Sequence, residues 1–203
     1  KVAWNGKKFQ YRGTFVSLTE NFCSIGMEQP AGNKITGNPS SHPALSVKWV
    51  EDFPDIPLNR NEAYKLRVTS KGVEIEAITE TGVYRAIQTL RQLTEKKGNG
   101  IAITGCEITD WPAFRIRGFM QDVGRTYIST DELKREIAIL ARYKINVFHW
   151  HLTENQAWRL QSKVFPMLND SVNTTRQPGK YYTLEEAREL AAFCKQHHVL
   201  LIP

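Results

Sequence analysis

The sequence predicts an α/β chain in two parts: a small α+β domain, then the opening strands of a parallel β/α sheet. Three features carry the prediction. Residues 64–77 alternate apolar and polar side chains on both sides of a short glycine-containing turn. Ser129-Thr130-Asp131-Glu132 and Thr183-Leu184-Glu185-Glu186 both have the Ser/Thr-x-x-Glu form of a helix N-terminus, and each leads into apolar residues at helical spacing. Apolar runs at 116–122, 146–152 and 199–202 alternate with those two helices.

In chain order, Tyr64-Lys65-Leu66-Arg67-Val68-Thr69 and Val73-Glu74-Ile75-Glu76-Ala77 flank the turn Ser70-Lys71-Gly72, which is a β-hairpin signal. Val83, Ile87, Leu90 and Leu93 then fall on one helical face, predicting an amphipathic helix over 82–96 with Lys96-Lys97 at its end. Ile101-Ala102-Ile103-Thr104 reads as one more short strand. Residues 26–43, rich in Gly, Asn, Ser and Pro, read as an exposed loop. Asp110-Trp111-Pro112 marks a boundary, because proline interrupts regular structure there, giving domains 1–112 and 113–203.

Beyond it, Leu133, Ile137, Leu140 and Ala141 form the stripe of one helix, and Ala187, Leu190, Ala191 and Cys194 that of the next. His197 and His198 close the second helix in favour of its dipole. Residues 199–202 are expected to be a buried third strand. Strands alternating with helices imply right-handed crossovers in a parallel sheet. A TIM-type (β/α)8 barrel takes about 250 residues, whereas about 90 follow Trp111, so the second domain reads as the first three strands of such a barrel, truncated.

Composition narrows the class. Of 203 residues, 41% are hydrophobic and 24% charged, which suits a chain with an apolar core. No run approaches the ~18 apolar residues of a membrane span, and the start, Lys1-Val2-Ala3-Trp4-Asn5-Gly6, does not read as a signal peptide. The net charge of +6 is spread among interleaved acids, without the basic, aromatic-studded stripe of a nucleic-acid binder. Cys23, Cys106 and Cys194 are odd in number and far apart, so they read as free thiols rather than as disulfides or a metal site.

Functional residues of a β/α barrel gather at the C-terminal ends of its strands. That rule selects Asp122 and Arg125 after the first strand, and His149, His151, Glu154 and Asn155 around the end of the second. Two residues apart on a strand, His149 and His151 share a face. They read either as a pair of metal ligands in a hydrolase or as one core histidine beside one pocket histidine. Asp122 and Arg125 read first as an ion pair. Trp150 reads as packing.

The surrounding residues resemble a known family. Arg117-Gly118-Phe119-Met120-Gln121-Asp122-Val123-Gly124-Arg125 is similar to the R-G-x-x-x-D-x-x-R segment of the β-N-acetylhexosaminidases of glycoside hydrolase family 20. The run from Asn146 to Arg159, NVFHWHLTENQAWR, resembles their N-x-F-H-W-H-L-T-D-D-Q-x-W-R segment, with Glu154 in place of the first Asp. Gly82-Val83-Tyr84-Arg85-Ala86-Ile87-Gln88-Thr89-Leu90 resembles the G-x-x-x-G-x-Q-T-L helix of their smaller domain, with Ala86 for the second glycine. The resemblance covers most of the chain beyond residue 60.

It implies retaining, substrate-assisted removal of terminal β-linked N-acetylhexosamine from glycans, without metal or cofactor, in a secreted, periplasmic or cell-surface protein. It further implies that Arg117 grips the sugar hydroxyls and that Glu154 and His151 support the catalytic acid, with Asp122 and Trp158 as further pocket residues. A structural reading stands beside each: Arg117 as an internal salt bridge, Glu154 as an exposed loop carboxylate. The adjacent Asp-Glu pair that the mechanism needs is not among these residues. Glu51-Asp52 is reversed and Asp131-Glu132 lies in a helix first turn, so the fragment alone is expected to be inert. The other classes left open are a metal-dependent barrel hydrolase using His149 and His151, and a non-catalytic carbohydrate-binding protein on the same fold.

Overall fold

The computed structural model describes residues 9–18, 44–97 and 100–203. Cys23 and the loop expected over 26–43 lie outside the described residues. The chain divides into two compact units, Lys1–Arg115 and Ile116–Pro203. Trp111 packs on a small cluster of Phe53, Ile56 and Ala63, and the Pro112 carbonyl accepts from Asn59 Nδ2 at 2.8 Å, which keeps both residues with the first unit.

Among its described residues the first unit forms a six-stranded sheet with one α-helix. Its elements are β1 (Phe9–Leu18), β2 (Ala44–Trp49), β3 (Tyr64–Thr69), β4 (Gly72–Ala77), α1 (Glu80–Gln92), β5 (Thr94–Lys97) and β6 (Gly100–Asp110). The sheet order is β1-β6-β3-β4-β2, with β5 also paired to β6. β3 and β4 form the expected hairpin, paired from Thr69↔Gly72 to Tyr64↔Ala77. Gly72 has φ 145, a conformation that favours glycine.

Alternation sends Tyr64, Leu66 and Val68 of β3, and Val73 and Ile75 of β4, into one core with Ala86 and Leu90 of α1. Each such aliphatic side chain contributes roughly 1.5–3 kcal/mol by leaving water. Gly82 is required where α1 meets the chain before β3, because a Cβ there would lie 2.5 Å from the Ala63 carbonyl oxygen.

Two expectations change in this unit. The helix stops at Gln92, so Lys96 and Lys97 belong to a strand rather than to a helix end. Thr94 Oγ1 donates to the Arg91 carbonyl at 2.6 Å, and β5 then pairs with β6, so backbone pairing overrides the helical spacing that Leu93 had extended. The short strand expected at 101–104 is the start of an 11-residue strand, because β6 pairs with β1 along 101–108, with β5 over 100–103 and with β3 over 106–110. α1 also buries polar residues on its flank, Arg85 and Gln88, with Arg85 Nε 2.9 Å from Glu62 Oε2.

The second unit contains β7 (Gly118–Asp122), α2 (Thr130–Arg142), β8 (Val147–His151), β9 (Thr153–Glu154), β10 (Ala157–Trp158), α3 (Leu184–Gln196) and β11 (Leu200–Ile202). Its three-stranded sheet, order β11-β8-β7, is parallel throughout. Both capping boxes form: Ser129 with Glu132 and Thr183 with Glu186 satisfy each other's free donors. Both helices end in a left-handed residue, Lys144 at φ 63 and His198 at φ 52. The next N–H reaches back to Leu140 in one case and to Cys194 in the other. His197 Nδ1 lies 2.9 Å from the Phe193 carbonyl, at the negative end of α3.

Leu133, Ile137 and Ala141 of α2 are buried as expected, and so are Leu190 and Cys194 of α3. Ala191 is exposed and Ala187 half-buried, so the α3 stripe is narrower than its spacing suggested. The third strand is not buried: Leu200 and Ile202 are exposed and Leu201 is half-buried. β11 lies at the edge of this sheet, and in a strand successive side chains face opposite ways. No helix of the described residues is long and apolar enough to cross a membrane.

Candidate active site

Parallel pairing sets Asp122 opposite His151, so the last residues of β7 and β8 end side by side. The chain after Asp122 turns at once. The Val123 and Gly124 amides both donate to the His151 carbonyl, at 3.1 and 3.0 Å, which closes the turn over the end of β8. After His151 the chain makes the small β9–β10 hairpin, pairing Glu154 with Ala157 around an exposed Asn155. That hairpin brings Glu154 back against Gly124, where a Cβ would meet the Glu154 Cβ and Cγ at 3.1 Å.

Four polar side chains consequently converge. Arg125 Nη1 pairs with Asp122 Oδ2, and Arg125 Nη2 donates to Glu154 Oε1 at 2.7 Å. His151 Nε2 lies 3.0 Å from the same Glu154 oxygen, so Nε2 carries the proton of that bond. The Asp122 carboxylate also accepts the Arg125 backbone N–H at 3.0 Å. Partial burial works against its charge, but the backbone and guanidinium of Arg125 outweigh it and hold its pKa below the usual carboxylate range.

The two carboxylates take one proton from each terminal nitrogen of Arg125. The Nε–H and the outer protons of the fork have no partner among the described residues, and the side chain is 52% exposed. A planar fork held in this way can donate paired hydrogen bonds to two neighbouring hydroxyls. A cavity of about 210 Å³ is lined by His149, His151, Leu152, Thr153, Trp158, Leu160 and Pro203. His149 and His151 meet edge to face, their ring centroids 5.9 Å apart. Among the described residues no group of three or more His, Cys, Asp or Glu side chains is arranged to hold a metal ion.

Of the residues singled out from the sequence, the structure gathers Asp122, Arg125, His151 and Glu154, with Trp158 and His149 on the adjoining cavity. It does not bring Arg117 to them. Arg117 precedes β7, its N–H donating to Asn146 Oδ1 at 2.8 Å and its Nε to the Lys144 carbonyl at 2.7 Å. Asp122 lies five positions further along the chain, roughly 16 Å at the usual rise. The bond from Nε is to a main-chain carbonyl at the end of α2. Trp150 is packing, 2% exposed, with its ring 4.6 Å from that of Tyr182.

Arg159 is the residue whose weight the sequence least conveyed. Its guanidinium is completely buried and donates to four main-chain carbonyls: Val123, Gln177, Lys180 and Arg176. It closes the run from Asn146 to Arg159, but neither periodicity nor spacing reveals that an arginine there would be interior.

Comparison with known proteins places these features. Residues 114–203 match the model of the glycosyl hydrolase family 20 catalytic domain, and residues 24–111 that of domain 2 of the same family. A beta-hexosaminidase of Porphyromonas gingivalis is 38% identical over 189 residues, covering 87% of this chain and 22% of that protein. A beta-N-acetylhexosaminidase of Cellulomonas fimi is 33% identical over 164 residues, covering 79% of this chain and 33% of that protein. Among solved structures, the beta-N-acetylhexosaminidase of Bacteroides fragilis superposes with a TM-score of 0.79 at 27% identity, over 97% of this chain and 43% of its own. The chain therefore spans between about a fifth and a third of the two sequence relatives named. The chain belongs to glycosyl hydrolase family 20, through domain 2 of that family over residues 24–111 and its catalytic domain over residues 114–203.

Proposed function

We propose that this chain forms the front of a β-N-acetylhexosaminidase, comprising the smaller domain and the first three strands of a (β/α)8 barrel. The full-length protein removes terminal β-linked N-acetylhexosamine from glycans. The family is an exception to the two-carboxylate scheme of most glycosidases. The substrate's own 2-acetamido oxygen attacks the anomeric carbon, the bond to the leaving oxygen breaks, and that oxygen takes a proton from a carboxylic acid. Water then opens the oxazolinium intermediate with net retention. The Asp-Glu pair that orients the acetamide and supplies the proton lies outside these residues, so the 203-residue chain alone turns over no substrate.

The observation that carries the reading is the half-exposed Arg125 fork at the ends of β7 and β8, steadied by Asp122 and Glu154 and with no further partner among the described residues. We assign the grip on the sugar hydroxyls to Arg125 rather than to Arg117, whose Nε is committed to the Lys144 carbonyl at the far end of the strand. Glu154 fixes the His151 proton and the Arg125 fork together, and Trp158 offers its exposed face to the sugar or its leaving group.

The test is hydrolysis of an aryl β-N-acetylglucosaminide by the full-length protein, with N-acetylglucosamine binding measured alongside. Arg125→Ala is expected to weaken binding by about 10- to 100-fold, the size of hydrogen bonds from a charged donor. Arg117→Ala is expected to leave it unchanged. Failure of the full-length protein to release the aryl group would sink the assignment of activity. An equal loss in both variants would sink the assignment of Arg125.

A further inference from the structure

Arg159 has no role in the chemistry above, yet its environment is costly. Burying a guanidinium gives up its hydration. Its partners among the described residues are all main-chain carbonyls, with no carboxylate to neutralise it: Val123 at 3.1 Å, Gln177 at 3.2 Å, Lys180 at 2.7 Å and Arg176 at 2.8 Å. Loss of solvent pushes its pKa down. An apolar side chain would fill such a space at least as well if packing were the whole purpose. What an apolar residue could not do is hold two separate segments through a rigid planar fork.

Those two segments bracket Arg125. On one side, the Val123 peptide is gripped at both ends, its N–H by the His151 carbonyl at 3.1 Å and its carbonyl by Arg159 Nε. On the other, Arg159 Nη1 holds the carbonyl of Gln177, whose side-chain oxygen accepts the backbone N–H of Tyr127. Tyr127 is stacked on Tyr182, ring centroids 4.8 Å apart, and the Tyr182 N–H donates to the Arg159 carbonyl at 2.6 Å. Arg159 itself is tied to the residue just after β8 by its N–H, which donates to the Leu152 carbonyl at 3.0 Å. Residues 123 and 127 are thus both referred to one buried group, and Arg125 stands between them.

We propose that Arg159 is a positioning residue for sugar recognition, setting the turn from which the exposed Arg125 fork reaches the substrate. The inference rests on the reading of Arg125 as the sugar grip. Lysine at 159 would keep the charge but lose the fork. Asparagine at 177 would tolerate the left-handed backbone there (φ 50) but shorten the reach to Tyr127.

The experiment is a set of steady-state kinetics on the full-length protein with an aryl β-N-acetylglucosaminide, below the melting temperature of each variant. Arg159→Lys is expected to raise KM by about tenfold and Gln177→Asn by about threefold, each with a smaller change in kcat, the signature of lost substrate binding. In an Arg125→Ala background neither is expected to raise KM further, because the group they position is gone. A KM unchanged in the folded variants, or an increase that adds in full to that of Arg125→Ala, would overturn the proposal. Should Arg159→Lys not fold, Gln177→Asn decides by the same criterion. A KM that Arg125→Ala itself leaves unchanged would instead overturn the reading of Arg125, and this inference with it.

Discussion

One carboxylate oxygen of Glu154 serves both His151 Nε2, at 3.0 Å, and Arg125 Nη2, at 2.7 Å. The family segment carries an aspartate at this place, and the extra methylene of Glu154 lies against Gly124, the one side-chain-free position of the turn that faces it. Glu154→Gln keeps the shape, removes the charge and leaves two hydrogen bonds weakened at once. Losing one bond to a charged group costs about 1.5–3 kcal/mol. In the full-length protein kcat/KM is expected to fall by about 10- to 100-fold. A value within twofold of the parent would return Glu154 to an ordinary loop carboxylate.

The Asp122 carboxylate gives a pH dependence of definite sign. Its folded pKa lies below the ordinary value, because the amide and guanidinium of Arg125 more than offset its partial burial. A group depressed in this way stabilises the fold above its unfolded pKa, about 3.9 for an aspartate. That stabilisation is lost as the pH falls through the lower, folded value. Melting temperatures of the parent and Asp122→Asn should therefore differ near neutrality and converge under strongly acid conditions. Curves that stay parallel down to the acid limit would show that the pair with Arg125 contributes nothing to folding.

Gly82 makes a prediction about the first unit alone. A methyl group there would lie 2.5 Å from the Ala63 carbonyl oxygen and 3.1 Å from the Ala77 Cβ, and the nearer neighbour is backbone that cannot swing aside. Gly82→Ala would gain helix propensity of up to about 1 kcal/mol, yet overpacking against backbone costs about 1–3 kcal/mol or more. A net loss of stability is expected in chemical denaturation, and a gain would mean that α1 shifts freely away from residue 63.

Much of this structure was legible because its causes are local. Ser129 and Glu132, or Thr183 and Glu186, are three residues apart, and whatever the rest of the chain does they cap the same helices. The hairpin of residues 64–77 is likewise written in its alternation and its turn. The end of α1 was not legible, because Thr94 leaves the helix only to meet β6, and β6 comes later in the chain. The candidate site was half legible. Its placement at the C-terminal ends of the strands followed from the strand pattern, but the sequence alone gives no means of choosing between two arginines eight positions apart, Arg117 and Arg125. The direction of β7 separates them: one precedes the strand and the other follows it.

By itself the sequence determined the hairpin of residues 64–77, the starts of α2 and α3 and the strands that alternate with them, because periodicity and capping act within a few neighbouring residues. It also marked the family segments around Asp122 and Glu154. Only the tertiary structure decided that Arg125 meets Glu154, 29 residues away, and that Arg159 is interior with four carbonyls on its fork. Those contacts arise from the parallel register of β7 with β8 and from the closure of the β9–β10 hairpin, and no single segment carries either of them.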